Sequence, residues 1–252
     1  MNFEEKGLGI MRWYSDEDDK KGKLVYIEND VDDKLAQPFS IIEVQPGQRL
    51  SLVPAENRER DVLYITGASG TGKSYFTNQY VKQYKKRFPK RPVYLISSLL
   101  EDTTLDGNKS IKRLKLDETF MNEVFTIDMF EKTLVIFDDC DVIKNKDLKK
   151  KIFNILDVLL QIGRHKGCSV VFTSHLANNR NETKIILAEA TSITYFPKSL
   201  APASQKYLLE NYTCMTREQI QAARKLKTRS VTVIKSFPQV LLAEKEAFIL
   251  GE

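Results

Sequence analysis

Apolar positions along this chain fall into two kinds of run, and the change from one to the other comes near Asp61. Before it, short alternating stretches read as strands: KLVYIEN (23–29), FSIIEVQ (39–45) and QRLSLVP (48–54), the last two parted by a Pro46-Gly47 turn. After it, nearly continuous apolar runs appear: DVLYITG (61–67), RPVYLISS (91–98), TLVIFDD (133–139), CSVVFTSH (168–175) and ITYFP (193–197). Strands without a polar face are those buried on both sides, as in a parallel sheet. Between them lie helical periods. Phe76, Tyr80, Tyr84 and Phe88 recur every four residues over 73–88, which Pro89 and Pro92 end. Leu148, Ile152, Ile155, Leu156, Leu159 and Leu160 define an inward stripe over 146–162. Asp117 is placed to cap a short helix, and another is predicted around 216–227. Residues 99–115 read as a polar loop, and RSVTVIK with QVLLAEKEAFIL reads as a hairpin. The pattern predicts an α/β fold: a mostly parallel central sheet flanked by helices, a small N-terminal β appendage and a C-terminal β-hairpin. The divisions expected are an acidic, partly mobile segment over 1–37, the β appendage over 38–60 and the main domain over 61–252.

Composition narrows the class. The 252 residues, 42% hydrophobic, suffice for one large core. No stretch of about 18 apolar residues occurs, so no membrane span is expected, and the N-terminus lacks the pattern of a secretion signal. Cys140, Cys168 and Cys214 form no disulfide framework, which fits a reducing compartment. Charge is uneven: 14 acidic against 9 basic residues up to Asp61, then 30 basic against 20 acidic. Basic clusters recur at 82–91, 109–115, 144–151 and 224–229. Four on one domain point to a polyanionic partner, although each alone could be a solvated helix face.

GASGTGKS (67–74) leaves a predicted strand, opens a predicted helix and matches G-x-x-x-x-G-K-[ST] in full. Gly67, Ala68, Ser69, Gly70, Thr71 and Gly72 would curl main-chain amides around phosphate oxygens, aided by the positive end of the helix. Lys73 should reach the β- and γ-phosphates of ATP, and Ser74 should hold Mg²⁺. At the carboxyl end of TLVIF stand Asp138, placed to bind Mg²⁺ through water, and Asp139, placed to orient or deprotonate the attacking water.

Both histidines flank one strand, in GRHKGCSVVFTSH (163–175). His165, Cys168 and His175 lack zinc-like spacing, and the strand would separate the two imidazoles by roughly 20–30 Å. The better reading inserts this strand between the phosphate-loop strand and the acidic strand, bringing Ser174 or His175 beside the γ-phosphate as a sensor. Arg164, at the other end, would face a neighbouring subunit or DNA.

GASGTGKS, LVIFDD, GRHKGCSVVFTSH and KLKTRSVTVIKSFPQVLL together resemble the FtsK/HerA-type ATPases, and within them the genome-packaging ATPases of nucleocytoplasmic large DNA viruses, the poxvirus-type branch. The resemblance spans about residues 38–245. It implies a homo-oligomeric ring that drives double-stranded DNA, without sequence specificity, into a preformed capsid by ATP hydrolysis. It also implies Lys73 and Ser74 on the nucleotide, Asp138 on Mg²⁺, Asp139 as catalytic carboxylate, and a capsid or portal component as partner. The location implied is the virion or a viral factory in host cytoplasm. Two residues depart from the family pattern: the sensor strand ends Ser174-His175 rather than Ser-Gln, and Asp139 stands where cellular relatives often have Glu. Candidates for an arginine acting in trans are Arg164, Arg180 and Arg229. The alternatives are a nucleoside or nucleotide kinase on the same loop, which would usually carry an arginine-rich lid, and a nucleotide-switched binding module, which has no use for a paired carboxylate.

Overall fold

The computed structural model describes residues 60–250, apart from 178–179, 237–238 and 245, together with five strands between residues 2 and 51. Those five are β1 (Asn2–Glu4), β2 (Gly7–Tyr14), β3 (Lys23–Ile27), β4 (Ile41–Glu43) and β5 (Arg49–Ser51). The rest of the acidic opening segment lies outside the described residues. β1, β2, β3 and β5 form a small antiparallel sheet, whereas β4 adds to the edge of the main one.

The main sheet is built from β6 (Val62–Thr66), β7 (Val93–Ser97), β8 (Ile111–Arg113), β9 (Leu134–Asp138), β10 (Ser169–Ser174), β11 (Ser192–Tyr195), β12 (Val231–Ile234), β13 (Gln239–Leu242) and β14 (Glu246–Leu250), with β4 as tenth strand. Its order is β4-β14-β13-β12-β11-β6-β10-β9-β7-β8. Pairing is parallel from β11 to β8 and antiparallel from β12 outward. The hairpin read in the tail is therefore two successive hairpins, β12–β13 and β13–β14. The helices are α1 (Lys73–Arg87), α2 (Thr103–Asp106), α3 (Glu118–Asn122), α4 (Lys146–Gln161), α5 (Arg180–Glu189), α6 (Pro202–Tyr212) and α7 (Arg217–Lys225). Of these, α2, α5 and α6, and the strand β8, were not legible in the sequence pattern.

The alternating direction of strand side chains divides the core in two. Val62, Tyr64, Val135, Phe137, Val170 and Phe172 face one layer, packed against Ile152, Leu156 and Leu159 of α4 and against apolar residues of α5, α6 and α7. Leu63, Ile65, Leu134, Ile136 and Val171 face the other, against Tyr80, Val81 and Tyr84 of α1 and Leu105 of α2. Both faces of the central strands are thus dry, which is why their sequences lack polar alternation. Arg60 fixes the entry to β6: its guanidinium donates to the carbonyls of Cys168, Leu159 and Leu160 at 3.0, 2.9 and 2.7 Å, closing the end of α4.

Candidate active site

The loop between β6 and α1 is shaped by its glycines. Gly72 has φ 106°, a left-handed conformation that L side chains rarely adopt, and no side chain caps the helix that starts after it. The first amides of α1 therefore stay available to an anion. At Gly67 a Cβ would lie 2.8 Å from both Phe196 and the Thr71 hydroxyl, so only glycine fits. The Gly67 amide donates to the Ser174 carbonyl at 3.2 Å, tying the loop to β10.

Lys73 is buried under this loop. Its ammonium donates to the Gly67 carbonyl at 3.0 Å and to His175 Nδ1 at 3.2 Å, and stands 3.7 Å from Asp139 Oδ1. His175 Nε2 lies 2.9 Å from Asp139 Oδ2. Because the ammonium can only donate and the carboxylate only accept, these partners select the neutral tautomer protonated at Nε2. His175 therefore bridges the lysine of the phosphate loop to the second aspartate.

The position of β10 makes this possible. It pairs in parallel with β6 on one side and β9 on the other, as the sequence suggested. Two strand spacings, about 10 Å, separate the phosphate-loop strand from the acidic strand. That gap can admit a γ-phosphate and an attacking water. Along β10, Thr173 and His175 point to the α1 face and Ser174 to the α4 face, so consecutive residues serve opposite sides of the acidic turn.

That turn reads Asp138-Asp139-Cys140-Asp141. Asp138 ends β9, buried, and accepts from Ser97 Oγ on Oδ2 at 2.9 Å and from Thr173 Oγ1 on Oδ1 at 2.9 Å. Burial and then the neighbouring Asp139 charge hold its carboxyl above the usual carboxylate range. Asp139 takes a left-handed φ of 48°, which swings its carboxylate back over β10, and its amide donates to Thr173 Oγ1 at 3.0 Å. Asp141, which sequence reasoning passed over, is also buried. It accepts from Ser174 Oγ at 2.7 Å, and its carboxyl too is raised by burial. Ser174 Oγ in turn accepts from the Leu176 amide, so Asp141 holds the chain just past the end of β10. Ser97 and Thr173 were missed as well. The signal for Ser97 was its place at the carboxyl end of a predicted strand; for Asp141, its spacing of two from Asp139.

Hard oxygen donors at the foot of α1 and the end of β9 suit Mg²⁺, which keeps most of its waters and takes one or two protein oxygens. Each Asp138 oxygen is occupied by one hydroxyl and retains acceptor capacity. Ser74 Oγ, in the first turn of α1, is the companion donor by sequence position.

The arginines divide. Arg164 is exposed in a short 3₁₀ turn, Gly163–Lys166, ahead of β10 and at the opposite sheet edge from the loop. Arg229 instead lies against the loop of its own chain, Nε donating to the Thr71 carbonyl at 3.3 Å. The side chain of Arg180 lies outside the described residues. His165 is exposed and Cys168 buried, and among the described residues no group of three or more His, Cys, Asp or Glu side chains could hold a metal.

No protein-family model matches the chain. It is 34% identical over 230 residues, 90% of each chain, to protein V3 of the Sputnik virophage, itself uncharacterized. This chain belongs to the V3 family. Solved structures similar to this V3-family chain include the DNA-packaging ATPase B204 of Sulfolobus turreted icosahedral virus (18% identity, 75% of this chain and 98% of that one, TM-score 0.50). Others are the pCW3 conjugation coupling protein TcpA with ATPγS (14%, 84% and 66%, 0.52) and the cytoplasmic domain of the type VII secretion ATPase EccC of Thermomonospora curvata (10%, 78% and 28%, 0.52). At these identities the likeness concerns the fold, an α/β P-loop NTPase with added antiparallel strands.

Proposed function

We propose that this chain is an ATPase that translocates double-stranded DNA and packages a viral genome, in the FtsK/HerA group and on its poxvirus-type branch. One observation carries the reading: a phosphate loop, its lysine, an imidazole and two aspartates meet at the carboxyl edge of a parallel sheet, with one strand between loop and acids. The virophage relative and the packaging and conjugation ATPases of like fold support it.

ATP enters with its phosphates on the loop amides. Lys73 exchanges the Gly67 carbonyl and Asp139 for phosphate oxygens, which frees Asp139 to align water behind the γ-phosphate. His175, losing the ammonium from Nδ1 but keeping Asp139 on Nε2, couples phosphate occupancy to the acid. Mg²⁺, when bound by Ser74 and Asp138, neutralises charge on the β- and γ-phosphates. A neighbouring subunit's copy of Arg164 completes the site in a homo-oligomeric ring. The exposed lysines and arginines of the basic clusters grip DNA phosphates without reading bases. The chain works in the virion or in a viral factory of the host cytoplasm, docked on a capsid or portal component. No described helix is long and apolar enough to cross a membrane.

The test is ATP hydrolysis by the purified chain with and without double-stranded DNA over a salt series, beside Lys73→Ala. Expected are turnover, stimulation by DNA that fades steeply with salt, and loss of both in the variant. Undiminished turnover by Lys73→Ala would sink the site assignment. Stimulation by DNA that is absent or insensitive to salt would leave an ATPase but no motor.

A further inference from the structure

Four large apolar side chains stand out along the carboxyl edge of the sheet, around the acidic turn. Leu99 and Leu100 follow β7, Val142 follows β9 and Leu176 follows β10. Leu100 is 93% exposed, and the other three are half-exposed. Because β10, β9 and β7 are neighbours in that order, the four form a strip rather than scattered points. Single exposed apolar residues are ordinary, whereas a row of them marks a contact surface. The backbone beneath the strip is fixed. The Leu99 amide donates to Ser97 Oγ at 3.2 Å, and its carbonyl accepts from Arg113 at 2.7 Å. The Val142 amide donates to the Asp139 carbonyl at 3.3 Å, and the Leu176 carbonyl accepts from the Tyr64 hydroxyl at 2.9 Å.

A recess lies at the other end of the domain. A groove of about 300 Å³ runs between α4 and residues 123–130, walled by Val124, Phe125, Ile127, Ile155 and Val158. Val124 is 77% exposed at its rim. Val158 is exposed on the last turn of α4, and exposed Ile162, four residues on, continues that row to Arg164. Since α4 starts beside the acidic turn and runs back along the sheet, the row ends at the amino edge, away from the strip.

Resting on the homo-oligomeric ATPase proposed above, we infer that the strip of one copy seats in the groove of the next, head to tail. Charge selects a second copy as the occupant. The strip is flanked by Glu101 and Asp102 and borders the three aspartates of the turn, with Lys144 an exposed cation nearby. Around the groove mouth Lys132, Arg164 and His165 are exposed, and Lys166 neutralises Asp128 at 2.6 Å, leaving Glu123 and Glu131 as the acids. Acidic edge thus meets basic edge when copies stack. The two patches differ, so the contact is heterologous and repeats from copy to copy, closing a ring if the rotation allows. The same contact carries the next copy's Arg164 to the carboxyl edge of its neighbour. Burying one leucine is worth about ten- to a hundredfold in affinity.

Sedimentation velocity of the full chain, with and without ATP, tests the interface on wild type, Leu100→Asp, Val124→Asp and Val158→Asp, each checked by thermal melting and ATP titration. Wild type should assemble at micromolar concentration. Each variant changes an exposed side chain, so it should melt and bind ATP like wild type yet lose at least tenfold in association. Mixed in equal amounts, Leu100→Asp and Val124→Asp should form dimers and stop there, because each keeps the patch that the other lacks. A wild type that stays monomeric, or variants that assemble as wild type does, overturn the interface and leave the nucleotide site standing. Variants that stay apart when mixed overturn the head-to-tail arrangement. Assembly in the expected pattern by a chain that binds no ATP keeps the interface and overturns the ATPase reading instead.

Discussion

Asp138 offers a prediction in which stability and function move in opposite directions. Its carboxylate is buried, and Thr173 Oγ1 lies 2.9 Å from Asp138 Oδ1 and 3.2 Å from Asp139 Oδ1, so these oxygens are no more than about 6 Å apart. Two unit charges at that distance repel by about 1–3 kcal/mol for effective dielectrics between those of water and a protein surface. Asp138→Asn removes the repulsion and the burial of charge while keeping the shape. The hydroxyls of Ser97 and Thr173 can each turn to serve an amide, because a hydroxyl both donates and accepts. In a domain of this size a kilocalorie moves Tm by about 2–4 °C, so the variant should melt roughly 2–10 °C above wild type at pH 7, without nucleotide or divalent cation. The pH dependence has a definite sign. The folded carboxyl is raised above its unfolded value, so over that window the native state binds more protons than the unfolded chain. Wild-type stability therefore falls as pH rises through the window, and the variant's advantage should fade as pH drops toward 4. Hydrolysis should nonetheless fall at least a hundredfold. Melting followed by circular dichroism at several pH values, beside an ATPase assay, checks both. A Tm below wild type at pH 7, or a gain that persists at pH 4, would refute the account of this residue.

Other substitutions probe neighbouring links. Gly72→Ala should cost about 1–2 kcal/mol for a left-handed alanine, lowering Tm by roughly 2–8 °C, and should disrupt phosphate binding; the measurements are melting and ATP titration. Asp141→Ala should lower kcat about tenfold with little change in the KM for ATP, because Ser174 loses the acceptor that fixes the turn after β10; Asp141→Asn, which keeps an acceptor oxygen, should restore most of it. Asp139→Asn should bind ATP yet hydrolyse it at least a hundredfold more slowly, as single-turnover kinetics would register. Arg60→Ala, losing three hydrogen bonds to carbonyls, should cost about 2–4 kcal/mol in denaturant melts, with Arg60→Lys intermediate.

The sequence was most legible where a single physical demand governed several residues. The five buried strands and the α1 and α4 stripes announced themselves because every position had to be apolar on the correct period. Thr216 and Asp117 cap the helices their chemistry favours. What escaped was set by partners distant in sequence. α5 (RNETKIILAE) and α6 (PASQKYLLENY) carry short apolar patches that become faces only beside the sheet. β8 exists because the exposed edge of β7 offers it a ladder. At the site, the glycine-rich turn between β6 and α1 and the aspartates closing β9 could be placed, since each is a short contiguous string at the end of a buried strand. The bridging of Lys73 and Asp139 by His175 could not, because it depends on which way β10 presents alternate side chains. The cis placement of Arg229 was hidden for a similar reason, arising from antiparallel strands added beyond β11.

The end of β10 has a mechanical consequence. Its Ser174 carbonyl holds the first glycine of the loop, its Thr173 hydroxyl holds the acidic turn, and the Ser174 hydroxyl reaches Asp141 on the opposite face. Because α4 follows that turn and Lys149 joins both the Asp141 carbonyl and Glu182 of α5, a shift of this strand tip by even a fraction of an ångström would be felt on both layers at once. The tip of β10 thus ties the glycine loop, the acidic turn and, through Lys149, α4 and α5 into one contact network.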